Sequence, residues 1–154
     1  MKKTGNILIG YFLLFNFFLM SSMALNSCGN PTMNIVLKCT DDSNNNNAIQ
    51  IRIFQLKSAG KFNLADRESI LRSPEETLGD ELIPNTKVEK ILVPGESFNF
   101  EDLELNTEAK FLGIIADFHS PAKDGWSQLI NLSDGIDDLK IIVAKNFLTV
   151  EETD

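Results

Sequence analysis

Ala48-Ile-Gln-Ile-Arg-Ile-Phe-Gln-Leu-Lys57 is the stretch that decides the fold. Ile49, Ile51 and Ile53 fall on one side of an extended chain and Gln50 and Arg52 on the other, the period of two that marks a half-buried strand. From Phe54 onward the pattern changes, because Phe54 and Leu56 put apolar groups on the face that was polar. That face needs a cover of its own. The next segment can supply it: Lys61 to Arg72 carries Phe62, Leu64, Ile70 and Leu71 with Asp66 and Glu68 between them, and Pro74-Glu-Glu-Thr-Leu-Gly79 opens like a proline-started helical turn. The spacing predicts a helix over Asn63 to Ser73 and a second short helical piece over Glu75 to Leu82. Together they make an insert at about 61–82, packed over the sheet.

Strands continue on either side. Met33 to Thr40 alternates apolar and polar, and Lys87 to Val93 runs to the turn dipeptide Pro94-Gly95. Ser97 to Leu105 follows, with Phe98 and Phe100 on one face. Phe111-Leu-Gly-Ile-Ile-Ala-Asp-Phe118 is apolar almost throughout, which predicts a central strand covered on both faces. His119 to Asp124 forms a loop around Pro121, and Trp126 to Asn131 and Leu139 to Lys145 complete about seven strands. Turn signals at intervals of roughly 8–12 residues in a mainly β chain point to a two-sheet β-sandwich. After Lys145 the chain is partly apolar at Phe147, Leu148 and Val150, and 151–154 reads as an acidic tail.

The N-terminus carries a different signal. Lys2 and Lys3 precede the greasy run Ile7 to Met20, and Leu25-Asn26-Ser27-Cys28 follows, a cysteine placed where a signal peptidase would cut. The run is shorter than the roughly 20 apolar residues of a spanning helix, and Asn16 interrupts it. The pattern is that of a bacterial lipoprotein, with 1–27 as signal peptide, 28–32 as lipidated tether and 33–150 as the folded domain. The Cys28 thiol would carry a diacylglycerol and its freed amine a third chain. At about 0.8 kcal/mol per buried methylene, two or three chains anchor firmly where one does not. Gly29 stands where many inner-membrane lipoproteins carry aspartate, so the sequence favours the outer membrane.

Removing residues 1–27 takes two lysines and no acid, leaving 12 basic against 22 acidic residues and a formal charge of −10. A chain so acidic lacks the clustered Lys and Arg that phosphate binding requires, so nucleic acid is excluded as a partner. Its 127 residues suit one domain with a single core. Cys39 shares a strand face with Met33, Ile35 and Leu37 and reads as a buried, inert thiol. With Cys28 acylated it has no partner for a disulfide.

Catalytic chemistry has little to work with. His119 is the only histidine and sits in a Phe-His-Ser-Pro turn with no cysteine nearby. Asp134-Gly-Ile-Asp-Asp138 lacks the alternation and closing Glu of a calcium loop and reads as a turn. Adjacent Asp41 and Asp42 in a polar loop read as hydrated carboxylates. No enzyme, metal or cofactor is expected. The loop itself, Asp41-Asp42-Ser43-Asn44-Asn45-Asn46-Asn47, is seven small polar residues with high turn preference and no apolar area, and should be exposed.

In order and spacing these features resemble the type VI secretion outer-membrane lipoprotein family, TssJ (SciN/VasD). The resemblance is carried by the lipobox, an Asn- and Asp-rich first loop, Ile51-Arg-Ile-Phe-Gln-Leu-Lys57, the insert, Leu78-Gly-Asp-Glu-Leu82, Val93-Pro-Gly-Glu96 and Phe111-Leu-Gly-Ile-Ile-Ala-Asp-Phe118 before Trp126. It departs at Asn26 and in the repeated asparagines of the first loop. It implies a transthyretin-like sandwich on the periplasmic face of the outer membrane, held by acyl chains on Cys28. It also implies the periplasmic C-terminal domain of TssM as partner, contacted by Asp41–Asn47, with TssL joined indirectly in the same membrane complex. The alternative is a stand-alone transthyretin-like lipoprotein that binds a small ligand or carbohydrate, which should expose aromatics; the mature chain has one Trp and seven Phe, mostly at strand positions.

Overall fold

Alternation along the chain becomes eight strands in a computed structural model that describes residues 29–135 and 138–153. They are β1 (Thr32–Cys39), β2 (Ile49–Leu56), β3 (Val88–Leu92), β4 (Ser97–Glu104), β5 (Phe111–Ala116), β6 (Ser127–Asn131), β7 (Asp138–Val143) and β8 (Leu148–Thr153). Two four-stranded sheets, β4-β1-β7-β8 and β3-β2-β5-β6, face each other in a transthyretin-like sandwich. The first sheet is mixed, since β1 pairs in parallel with β7 (Leu37 opposite Ile141) and antiparallel with β4. The second is antiparallel, with β2 central between β3 and β5.

Period-two patterning places the core as expected. Ile49, Ile51 and Ile53 meet Leu112, Ile114 and Ala116 from one sheet and Met33, Ile35, Leu37, Cys39, Leu139, Ile141 and Val143 from the other. On the outer face of the second sheet, Phe54, Leu56 and Ile115 form a separate core with Phe62, Ile70, Leu78 and Leu82 of the insert. Phe54 and Leu56 are therefore fully covered, and β5 is buried on both faces. Gly113 makes the seat for this cover. A Cβ there would stand 2.5 Å from a ring carbon of Phe62, so the insert's aromatic rests directly on the strand backbone.

Two expectations need correction. The helix predicted over Asn63 to Ser73 is broken into α1 (Gly60–Leu64) and α2 (Arg67–Arg72), followed by α3 (Pro74–Leu78) and a 3₁₀ turn at Gly79–Glu81. Ala65 and Asp66 are extended, and the Asp66 carboxylate accepts the Ser69 N–H at 2.9 Å, so Asp66 begins a new helix instead of continuing the old one. Short helices let Phe62, Ile70 and Leu78 all point at one patch of sheet. The second correction is at the C-terminus, where the expected acidic tail from residue 151 is part of an eighth strand. Leu148–Thr153 pairs along β7, and Leu148 enters the core, so Glu151 belongs to a strand and bonds Lys140 at 2.7 Å.

The register sorts the connections by end. The β1–β2, β3–β4, β5–β6 and β7–β8 loops gather at one end, and the Gly29–Pro31 tether enters at the other.

Candidate partner-binding site

The loop 41–47 sits at the end reached by the C-terminus of β1, and it is built rather than slack. Asn44, Asn45 and Asn46 have φ of 47°, 53° and 64°, a left-handed turn of three consecutive residues. For most L-residues this costs about 1–2 kcal/mol each, and asparagine is among the few side chains that tolerate it because its amide can bond locally. Those bonds are present. Asn47 Nδ2 donates to the Asn44 and Asn45 carbonyls at 3.1 and 3.0 Å, Asn46 Nδ2 to Asp41 O at 3.0 Å, and Thr40 Oγ1 to an Asp42 carboxylate oxygen at 2.7 Å.

Asn44 binds the turn to the sandwich. Its Nδ2 donates to Ala48 O and its Oδ1 accepts the His119 N–H, both at 2.7 Å, while its own N–H donates to Ala144 O at 3.3 Å. Ser43 and Asn44 are buried, which corrects the expectation of a wholly exposed loop. Asp41, Asp42, Asn45, Asn46 and Asn47 remain exposed. The Ser43 hydroxyl is buried without a well-formed hydrogen bond, close to the Cys39 thiol. Burial pushes that thiol above its ordinary pKa, the Ser43 hydroxyl pulls against the rise, and the Glu96 charge adds to it. Cys39 is thus a protonated core residue at neutral pH.

A second wall stands beside the loop. Arg67, the first residue of α2, donates from Nη2 to Asp117 Oδ1 at 2.8 Å and to the Phe118 carbonyl, so the insert grips the β5–β6 connection. Between the walls lies an open notch of about 410 Å³ lined by Asn44, Asn47, Ala48, Arg67, Asp117 and His119. Sequence analysis singled out Asp41–Asn47 and His119 but not Arg67. Its neighbours in space are about 20 to 50 residues away in sequence, and no local pattern marks it.

A family model described as type VI secretion lipoprotein (VasD, EvfM, TssJ) matches residues 25–146. The chain belongs to the type VI secretion lipoprotein family. Among solved structures, TssJ1 of Pseudomonas aeruginosa superposes with a TM-score of 0.69 at 20% identity, over 80% of this chain and 98% of that one. A chain of a type VI membrane complex gives a TM-score of 0.71 at 25% identity, over 79% and 98%. A chain in a structure of the TssM C-terminal domain (869–1107) from EAEC gives 0.66 at 23%, again over 79% and 98%. No curated protein sequence matches.

Within this type VI secretion lipoprotein, the residues weighed for chemistry fall apart in space. Asp41 and Asp42 are exposed, His119 offers its backbone to Asn44 while its side chain is exposed, and Cys39 is inside the sandwich. No cluster of His, Cys, Asp and Glu suited to a metal occurs among the described residues. No helix among them is long and apolar enough to cross a membrane. Cys28 and the hydrophobic run lie outside the described residues. Trp126 packs partly buried between both cores and its carbonyl accepts the Ala116 N–H at 2.8 Å, a structural position.

Proposed function

We propose that this lipoprotein is anchored in the outer membrane by acyl chains on Cys28 and tethers the periplasmic C-terminal domain of TssM, with TssL joined indirectly through the same membrane complex. The placement of the loop 41–47 supports this most directly. The tether enters at one end of β1 and the loop leaves from the other. Eight strand residues at about 3.3 Å each put roughly 25 Å of sandwich between the lipid-facing end and the loop. A domain held at one end by lipid presents the opposite end to whatever reaches up through the periplasm. The role is mechanical and calls for no catalytic group.

The family match and the EAEC structure add to this reading. Four-fifths of a 154-residue chain spans 98% of the chain matched in that structure, which is about half the length of a fragment running from 869 to 1107. A chain of this fold thus occurs in a structure of the TssM C-terminal domain.

Two experiments test the proposal. Replacing Asp41–Asn47 with a short Gly-Ser turn should leave the fold intact, because shortening a surface loop costs little, and should weaken binding of the acylated, detergent-solubilised protein to the TssM periplasmic domain in calorimetry. Unchanged affinity of a folded loop variant would place the contact elsewhere. In cells, Cys28→Ser should release the protein from the membrane fraction and abolish palmitate labelling; continued membrane association would identify the hydrophobic run as a permanent anchor.

A further inference from the structure

We infer that the partner surface extends beyond the loop to the notch between Asn47 and Arg67, and that Arg67 receives a carboxylate side chain of the partner there. This rests on the proposed function and adds the chemistry of the contact. Three segments far apart in sequence form the notch: the asparagine turn, Asp117–His119 after β5, and Arg67 at the start of α2. They are held as one body by two ties. Asn44 joins the turn to His119, and Arg67 joins the insert to Asp117 and Phe118.

Arg67 is incompletely used by these ties. Both of its hydrogen bonds run through Nη2, and Nη1 makes none among the described residues, while Nε is buried and out of a partner's reach. Its side chain keeps 33% of its surface exposed, against 49% for Asp117. A guanidinium offers five donors in a planar fork that matches a carboxylate through two parallel bonds, and Asp117 engages one nitrogen only. The mature chain carries about ten negative charges in excess, so most of its surface repels an acidic partner. At the notch Arg67 and Asp117 balance each other in an otherwise acidic chain, and beside the exposed wall at Asn47 and Ala48 a carboxylate can take the guanidinium donors that Asp117 leaves free.

Calorimetry of the acylated protein with the TssM periplasmic domain tests this with three variants, each checked for an unchanged fold by circular dichroism. Arg67→Ala should weaken binding at least tenfold and flatten its dependence on salt. Arg67→Lys, which keeps the charge but not the fork, should fall between it and the parent. Asp117→Asn removes the internal competitor for the guanidinium and a like charge, so it should bind as tightly as the parent or more tightly. Wild-type affinity in Arg67→Ala would overturn the inference, leaving the loop assignment to stand or fall on the Gly-Ser variant. Equal weakening by Asp117→Asn and Arg67→Ala would also overturn it, because Arg67 would then only position the β5–β6 corner. Failure of the parent to bind would reject the function and this contact together.

Discussion

The asparagine loop and the helical insert both interrupt the run of strands, and they are ordered by opposite means. The insert is fixed by apolar burial: Phe62, Ile70 and Leu78 sit on Phe54, Leu56 and Ile115, and its polar side faces water. The loop 41–47 has no apolar side chain to bury. Its order comes from side-chain amides bonded to backbone, and from a left-handed turn that asparagine can adopt. A polar low-complexity stretch can therefore be ordered where most of its amides, here those of Asn44, Asn46 and Asn47, find backbone partners. The two regions then meet, because Arg67 of the insert and Asn44 of the loop bond neighbouring residues of the same β5–β6 connection.

If apolar contact supplies most of the hold on the insert, beyond ties such as Arg67–Asp117, removing its central ring should produce the largest loss. Phe62→Ala leaves a cavity over Gly113 and should destabilise the domain by about 3–5 kcal/mol in urea unfolding. Gly113→Val should act similarly from the other side, since the added side chain would meet the Phe62 ring, and proteolysis should then cut the insert first. A loss below about 1 kcal/mol in both would mean that the insert is held by something other than this core.

The loop should respond more weakly and more locally. Asn44→Ala leaves the His119 N–H and the Ala48 carbonyl without their partner and should cost about 1–3 kcal/mol. Amide exchange at Asn45–Asn47 should rise while exchange in β2 and β5 stays slow. Uniform acceleration through the sandwich would show that the loop and the core open together. Asn45→Ala should cost about 1 kcal/mol, since alanine tolerates the left-handed region less readily than asparagine. Asn45→Gly should recover the stability.

Surface pairs should matter least. Breaking Lys140–Glu151, at 2.7 Å on an exposed sheet face, should change stability by about 0.2–1 kcal/mol and by less in high salt. Asp66 adds a pH signature. Its bonds to the Ser69 N–H and hydroxyl hold its carboxyl below the ordinary aspartate value. The stability it contributes is therefore present above the unfolded-state pKa and lost as pH falls through the lower, folded one. Asp66→Asn should make the acid side of the stability profile shallower, and an unchanged profile would show that the cap contributes nothing.

Much of this was legible in the chain because it rests on short-range periodicity. Ile49, Ile51 and Ile53 on one face, with Phe54 and Leu56 on the other, required both the sandwich and a cover for its outer side. The break at Asp66 was harder to see, because a run with helical spacing does not show that an aspartate will cap a new helix within it. The strand Leu148–Thr153 is hidden for a related reason: it exists through pairing with β7, and pairing is a long-range property.

Sequence by itself determined the two-sheet class, the double coverage of β5 and the family, since these follow from apolar period and from the order of short motifs. Only tertiary structure decided that Ser43 and Asn44 turn inward while Asn45–Asn47 stay exposed, and that Arg67 stands across the notch from them. The physical reason is the same in both cases. Hydrogen bonds between Asn44 and His119, or between Arg67 and Asp117, join residues 75 and 50 positions apart, and no local preference encodes a partner that the fold alone brings within 3 Å.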